Sequence, residues 1–352
     1  MIMSEETLEP VATQTGTKRI EYIDALRGFT MFLVVAHHVS NLCFQVIGKG
    51  ISITGYLLQV RMPLFFFISG FVLYKASVVW DFDQIVRFFK KKIPVQLISP
   101  FIFFVIFSYT HHKDIVEGMF ADGKYGYWFT YILFVYFVIY AAVRFLIRNK
   151  YADIILVIIG ICLYPLHLPQ MKQYIPLPDT WLSFLSIEHW YYFIFFVTGT
   201  LVKKYFSKVE ELLDGRYMIT ICLAIYFLVN VFRKALPIFD IFMLPVLSLT
   251  GIAIIFSFFR KKQALFTKDT VLGCTLQYMG RRTLDIYLIH YFLIPYNLSM
   301  VTLFVDHPMP IIEATVSSLI AALIIAGCLL FSNIIRLSPF WAHWLFGVKN
   351  KH

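Results

Sequence analysis

Residues 311–335 read IIEATVSSLIAALIIAGCLLFSNII, twenty-five residues with a single charge, Glu313. A helix of about 20 apolar residues spans the ~30 Å hydrocarbon core of a bilayer, so this run predicts a membrane-crossing helix. The rest of the chain has the same character. Of its 352 residues, 59% are hydrophobic, 18% aromatic and 15% charged, whereas a soluble domain is about half apolar and about a quarter charged. Too little polar surface is left to cover a water-soluble fold. Other apolar runs lie at about 22–44, 53–74, 93–109, 127–147, 152–166, 187–202, 217–231, 238–259 and 284–304. The expected fold is an all-α integral membrane protein of about ten transmembrane helices. No internal repeat is visible, and no segment remains for a soluble catalytic domain.

Charge placement orients this layout. With the N-terminus in the cytosol, 24 of the 31 Lys and Arg residues fall in inside segments and seven outside. This is the bias of the positive-inside rule, and it predicts that both termini are cytosolic. The same bias accounts for the net charge of +10 without nucleic acid, for which no motif is present. Residues 1–17 are polar and acidic and lack a cleavable signal's apolar core. They read as a disordered cytosolic tail, followed by a membrane domain over 18–340 and a second cytosolic tail over 341–352. Between Asp81 and Lys92, Phe82, Ile85, Phe88 and Phe89 recur at helical spacing among lysines, which predicts an amphipathic helix at the interface. Cys43, Cys162, Cys222, Cys274 and Cys328 show no metal-ligand spacing, so neither a disulfide framework nor a metal site is expected.

Ionisable groups inside a membrane are costly and are functional candidates. The first apolar run holds the richest set: Asp24, Arg27 and His38. Arg27 and His38 are eleven residues apart, three helical turns plus about 20°, so they share a face, with His38 about 16 Å deeper. Asp24 lies on that face too, and His37 is turned about 100° away. Spacing alone does not separate a site from interfacial anchors plus a helix-bridging histidine. Arg61, inside the second run, either lines a cavity or pairs with an acid such as Glu188. Ser69-Gly70 is a small pair that favours close helix packing, with Ser69 as a candidate donor. Glu188-His189 and His290 are open between cavity-lining and structural roles. Trp128, Trp190, Tyr191 and Tyr192 fit an aromatic belt.

Several stretches together resemble the acyltransferase 3 family of bacterial membrane acyltransferases. They are Tyr22-Ile23-Asp24-Ala25-Leu26-Arg27-Gly28 with the Arg-x10-His spacing of Arg27 and His38, and Met62-Pro63-Leu64-Phe65-Phe66-Phe67-Ile68-Ser69-Gly70-Phe71. The basic helix at Lys90–Lys92, Trp128-Phe129, and Leu284-Asp285-Ile286-Tyr287-Leu288-Ile289-His290 complete the set. The resemblance runs from about residue 18 to 340. Arg61 is a departure, since some members carry a His or an acid in this region. The resemblance implies transfer of an acyl group, usually acetyl, from acyl-CoA to a hydroxyl of a carbohydrate or lipid-linked glycan, in the bacterial cytoplasmic membrane. It makes His38 the expected general base and Arg27 a donor to the CoA phosphates or thioester, with Arg87, Lys91 and Arg282 as further cofactor-binding candidates. Asp24, Arg61, Ser69, Glu188 and His290 are the expected substrate-cavity residues. Transfer is expected to be direct, with hand-off to a separate extracytoplasmic transfer protein as the other route. The competing class is a transporter or flippase, which predicts repeats and discontinuous helices.

Overall fold

The computed structural model describes residues 19–46, 54–235, 240–296 and 303–348; the tail expected at 1–17 lies outside them. Among the described residues every regular element is helical. In chain order they are α1 (Glu21–Leu42), α2 (Thr54–Leu73), α3 (Phe82–Ile93), α4 (Ser99–Thr110), α5 (Ile115–Phe120), α6 (Trp128–Leu146), α7 (Tyr151–Leu163), α8 (Asp179–Phe184), α9 (Phe193–Lys204), α10 (Phe206–Asp214), α11 (Met218–Ala235), α12 (Asp240–Lys261), α13 (Val271–Arg281), α14 (Thr283–Leu293), α15 (Leu303–Asp306), α16 (Pro310–Ile335) and α17 (Pro339–Phe346).

Four helical stretches are long and apolar enough to cross a bilayer: Phe82–Thr110, Trp128–Leu146, Phe242–Lys261 and Pro310–Ile335. A fifth is added if α10 and α11, bent by 82°, form one span. Each of the ten apolar runs carries a helix, but α7, α9 and α14 have only 13, 12 and 11 residues. Eleven residues rise about 17 Å, short of a hydrocarbon core. Lipid is written on the outside of α16, where Leu319, Leu323 and Leu330 are 62%, 72% and 61% exposed. Leucines in a row on an open face need an apolar solvent.

Two helix crossings are backbone-close. A Cβ on Gly28 of α1 would stand 2.0 Å from the Leu276 carbonyl oxygen, and one on Gly280 of α13 1.8 Å from that of Asp24. The second crossing repeats the device. Gly70 of α2 and Gly199 of α9 would each place a Cβ 2.0 Å from the partner's backbone, at Phe196 and Phe67. Small residues that let helices touch are a main source of packing between membrane helices, where no hydrophobic drive acts. α13 was not expected from the apolar runs. It is a partner for α1 built from small and polar residues rather than a span.

Polar groups fix the remaining contacts. Pro63 has no N–H, so the carbonyl of Gln59 one turn earlier loses its partner; the Ser248 hydroxyl of α12 supplies one at 2.7 Å. Asp285 of α14 is 2% exposed. Arg336 of α16 holds it from Nε at 2.9 Å and Nη2 at 3.0 Å, and Arg282 and Ser332 also reach it. α3 starts as expected at Asp81, whose side chain accepts from the Gln84 amide at 2.7 Å. It runs into α4 through a π-turn at Pro94–Ile98, as a proline and its missing donor allow. Of the segment read as a C-terminal tail, residues 341–346 belong to α17, whose Phe346 stacks on Phe103.

Gly28→Ala or Gly280→Ala should force α1 and α13 apart. Overpacking typically costs about 1–3 kcal/mol. Thermal unfolding of the purified protein in lipid or detergent should therefore show a clearly lower midpoint, whereas Gly123→Ala, with open space around its Cβ, should leave it unchanged. Equal midpoints for all three would refute the close crossing.

Candidate functional site

Arg27, Met31, Val34 and His38 lie in one line along α1, at the expected helical spacing, and all four line a single cavity of about 240 Å³. Arg61 and Ser69 of α2 face it as well, as do Lys92, Gln96, Trp128, Thr130, Tyr287 and Tyr291. A second cavity of about 440 Å³ opens beside it at the end of the bundle that carries α3. Arg27, Lys75, Arg87, Lys91 and Lys92 line it, so it is a basic vestibule. Arg27, Ser69, Lys92 and Gln96 are walls common to both. The expected base and the expected cation cluster thus line adjacent cavities, with Arg27 in the wall of both. Lys92 sits in that shared wall with its ammonium 4.6 Å from the centre of the Phe137 ring, a cation–π contact that keeps it off the surrounding lipid.

The deep end is lined by His38, and a second histidine, His290, lies fully buried beside it. The Tyr291 hydroxyl is 3.1 Å from His38 Nε2. The His290 ring lies 5.3 Å from the His38 ring, centroid to centroid. His290 Nδ1 is 3.0 Å and 2.8 Å from the carbonyl oxygens of Ile286 and Tyr287. Two acceptors at one nitrogen mean that this nitrogen carries the hydrogen, so Nε2 is left as a lone pair. That Nε2 is buried and has no partner among the described residues. Tyr291 is held from behind by the loop before α6. The Tyr287 hydroxyl donates to the Gly126 carbonyl at 2.9 Å, and the Tyr127 hydroxyl to the Leu288 carbonyl at 3.0 Å. Gly126 has φ +100°, and a Cβ there would stand 2.2 Å from the Tyr291 ring, so both conformation and space call for glycine.

Four expected residues line neither cavity, the fully buried His290 among them. Glu188 does not pair with Arg61. It meets Lys172 at 3.4 Å, in a loop cluster where Lys172 also holds Asp122 at 3.1 Å. Burial works against the Asp122 charge, but the Lys172 ammonium outweighs it and holds the carboxyl below its ordinary range. Arg282 is taken up by Asp285 and Ser332 and lines neither cavity. Asp24 also lies outside both linings, and its backbone carbonyl faces Gly280. Arg61 keeps its place, with Nε lacking a partner among the described residues.

Gln96 and Tyr291 were not singled out from the sequence. Gln96 is 8% exposed, sits in the π-turn, and presents an Oε1 without a partner among the described residues. Its placement fits the frequent use of π-turns at functional sites. A glutamine two residues after a proline in an otherwise apolar run was the available signal.

The family model described as an acyltransferase domain, acyltransferase 3, matches residues 20–335. The chain belongs to the acyltransferase 3 family. The match extends from α1 to α16 and so includes every residue of both cavities. An acyltransferase domain built of membrane-length apolar helices is a multi-pass membrane protein. No curated protein and no solved structure matches the chain.

Tyr291→Phe removes one hydrogen bond to His38, worth about 1 kcal/mol, so acyl-transfer rate should fall roughly fivefold with folding intact. Gly126→Ala displaces the whole Tyr291 ring and should cost more. Transfer rates and unfolding midpoints measured side by side check this; a Gly126→Ala protein as active as the parent would refute the placement of Tyr291.

Proposed function

We propose that this acyltransferase moves an acetyl or other short acyl group from acyl-CoA to a hydroxyl of a carbohydrate or lipid-linked glycan, in the bacterial inner membrane. The observation that carries the reading is that the basic vestibule and the His38 cavity lie side by side with Arg27 in the wall of both. A polyanionic donor would be held at the charged mouth with its thioester arm directed toward the imidazole. In this reading the ten apolar runs are ten spans, with the basic end of the bundle and both termini in the cytosol. The positive-inside bias supports that orientation.

The chemistry follows from the residues. A hydroxyl is a weak nucleophile, and neutral imidazole can take its proton as the new bond forms. The acceptor oxygen attacks the thioester carbonyl carbon, its proton passes to His38, the C–S bond breaks, and the CoA thiolate is protonated on leaving. Tyr291 orients His38. Arg27, whose planar fork suits phosphate, holds the donor. Trp128 and Tyr287, at the end of the cavity away from the vestibule, give a sugar ring flat aromatic surface. Transfer is direct in this scheme, and hand-off to a separate extracytoplasmic protein is its alternative.

The test is incubation of the purified protein in lipid with radiolabelled acetyl-CoA and a cell-envelope glycan extract. Label should enter the glycan fraction. His38→Ala should lower the rate by about 10²–10⁴, the usual contribution of a general base. Arg27→Ala should raise KM for acetyl-CoA. Label entering glycan at the parent rate with His38→Ala would overturn the mechanism, and intact thioester with the parent protein would overturn the donor.

A further inference from the structure

A third cavity lies beyond the vestibule. It has a volume of about 180 Å³ and is formed where the ends of α2, α6 and α9 meet the segment between α2 and α3. Its cations are Lys75, Arg144, Arg148 and Lys204, and its aromatic walls are Tyr74, Trp80 and Tyr140. Lys75, Val78 and Trp80 belong to this cavity and to the vestibule alike. Three cavities thus lie side by side between this end of the bundle and His38, and the two outer ones are basic.

The third cavity is a built site rather than a scatter of surface charge. Asp153 of α7 is 6% exposed, and its two carboxylate oxygens bind Arg144 and Lys204, one each. The Arg144 guanidinium also lies over the Tyr140 ring, 5.2 Å from its centre. One carboxylate thus orients two cations and neutralises one of them. Lys75 and Arg148 are exposed and have no ion-pair partner among the described residues. Net positive charge of about three remains in a pocket walled by aromatic rings. Charges placed only to orient a protein in a membrane need neither a shared cavity nor a buried acid that aims them.

We infer that this cavity binds the 3′-phosphorylated adenosine end of the CoA donor. The phosphomonoester would lie among Lys75, Arg148 and the oriented Arg144, and the purine against Tyr74 and Trp80. The diphosphate then falls in the vestibule at Arg87 and Lys91, and the pantetheine arm passes Arg27 toward His38. A dianionic phosphate suits a guanidinium fork, and an aromatic face accepts any purine. The inference rests on acyl-CoA being the donor.

Acetyl-CoA and acetyl-dephospho-CoA differ only in the 3′-phosphate. Their affinities for the full-length protein in lipid can be compared by calorimetry, without an acceptor. The parent should bind acetyl-CoA about tenfold to a hundredfold more tightly, the range for hydrogen bonds to a charged group. In Arg148→Gln, an exposed position that lines the third cavity and not the vestibule, that ratio should fall toward one while affinity for acetyl-dephospho-CoA stays as in the parent. An unchanged ratio in this variant, or a parent ratio near one, would overturn the subsite and leave the donor standing. Binding of neither compound would instead overturn acyl-CoA as the donor, and the subsite with it.

Discussion

How closely α1 can lie on α13 sets the position of the whole reaction cavity. Gly28 and Gly280 let the two backbones touch, and Arg27, the residue before Gly28, is turned about 100° from it and lines the cavity. The contact and the site are therefore neighbouring faces of the same turn. Between membrane helices there is little hydrophobic drive, and association depends on van der Waals contact and polar pairing. A stripe bare of side chains brings the most backbone atoms together. The same solution at Gly70 and Gly199 sets α2 against α9, next to Ser69 on the cavity wall. Both helices that carry the best functional candidates are thus positioned by a glycine next in the chain to a cavity-lining residue.

The α1 face was legible in the sequence because one helix supplies all of it. A spacing of eleven residues fixes the direction of two side chains whatever surrounds them, and Arg27 and His38 do share a cavity. The basic vestibule was legible for a similar reason, since Arg87 and Lys91 lie one turn apart on α3. The Tyr291–His38 contact was not, because it joins positions 253 residues apart in the chain. The familiar stretch ending at His290 stops one residue short of it. Glu188 meets Lys172 from a loop, a contact that no helical spacing gives, whereas Arg282 is taken up by Asp285 three residues on and by Ser332 of α16. The first half of the Arg282 contact could be read from spacing, and the α16 half could not.

Helix lengths were less legible than helix existence. Hydropathy finds apolar runs and does not report where a helix shortens, bends or passes into 3₁₀ turns, as it does at Ile187–Tyr192 before α9. α13 escaped notice for the converse reason. Gly273, Gln277, Gly280 and Arg281 dilute its apolar character, and it is a helix that fits a groove rather than one that fits a bilayer.

The π-turn at Pro94–Ile98 links the lysine-bearing helix to the helix that runs on into the bundle. Such a turn holds one residue more than the α-helix around it, and each residue in a helix turns the chain by about 100°. Shorten the chain there by one residue and an unbroken helix results, with Lys91, Lys92 and Arg87 swung round by about that angle relative to α4. The basic vestibule is therefore aimed by a counting error retained in the chain. Its orientation is inherited as the length of a segment, so a single codon gained or lost between Pro94 and Ile98 would re-aim the entrance as a whole.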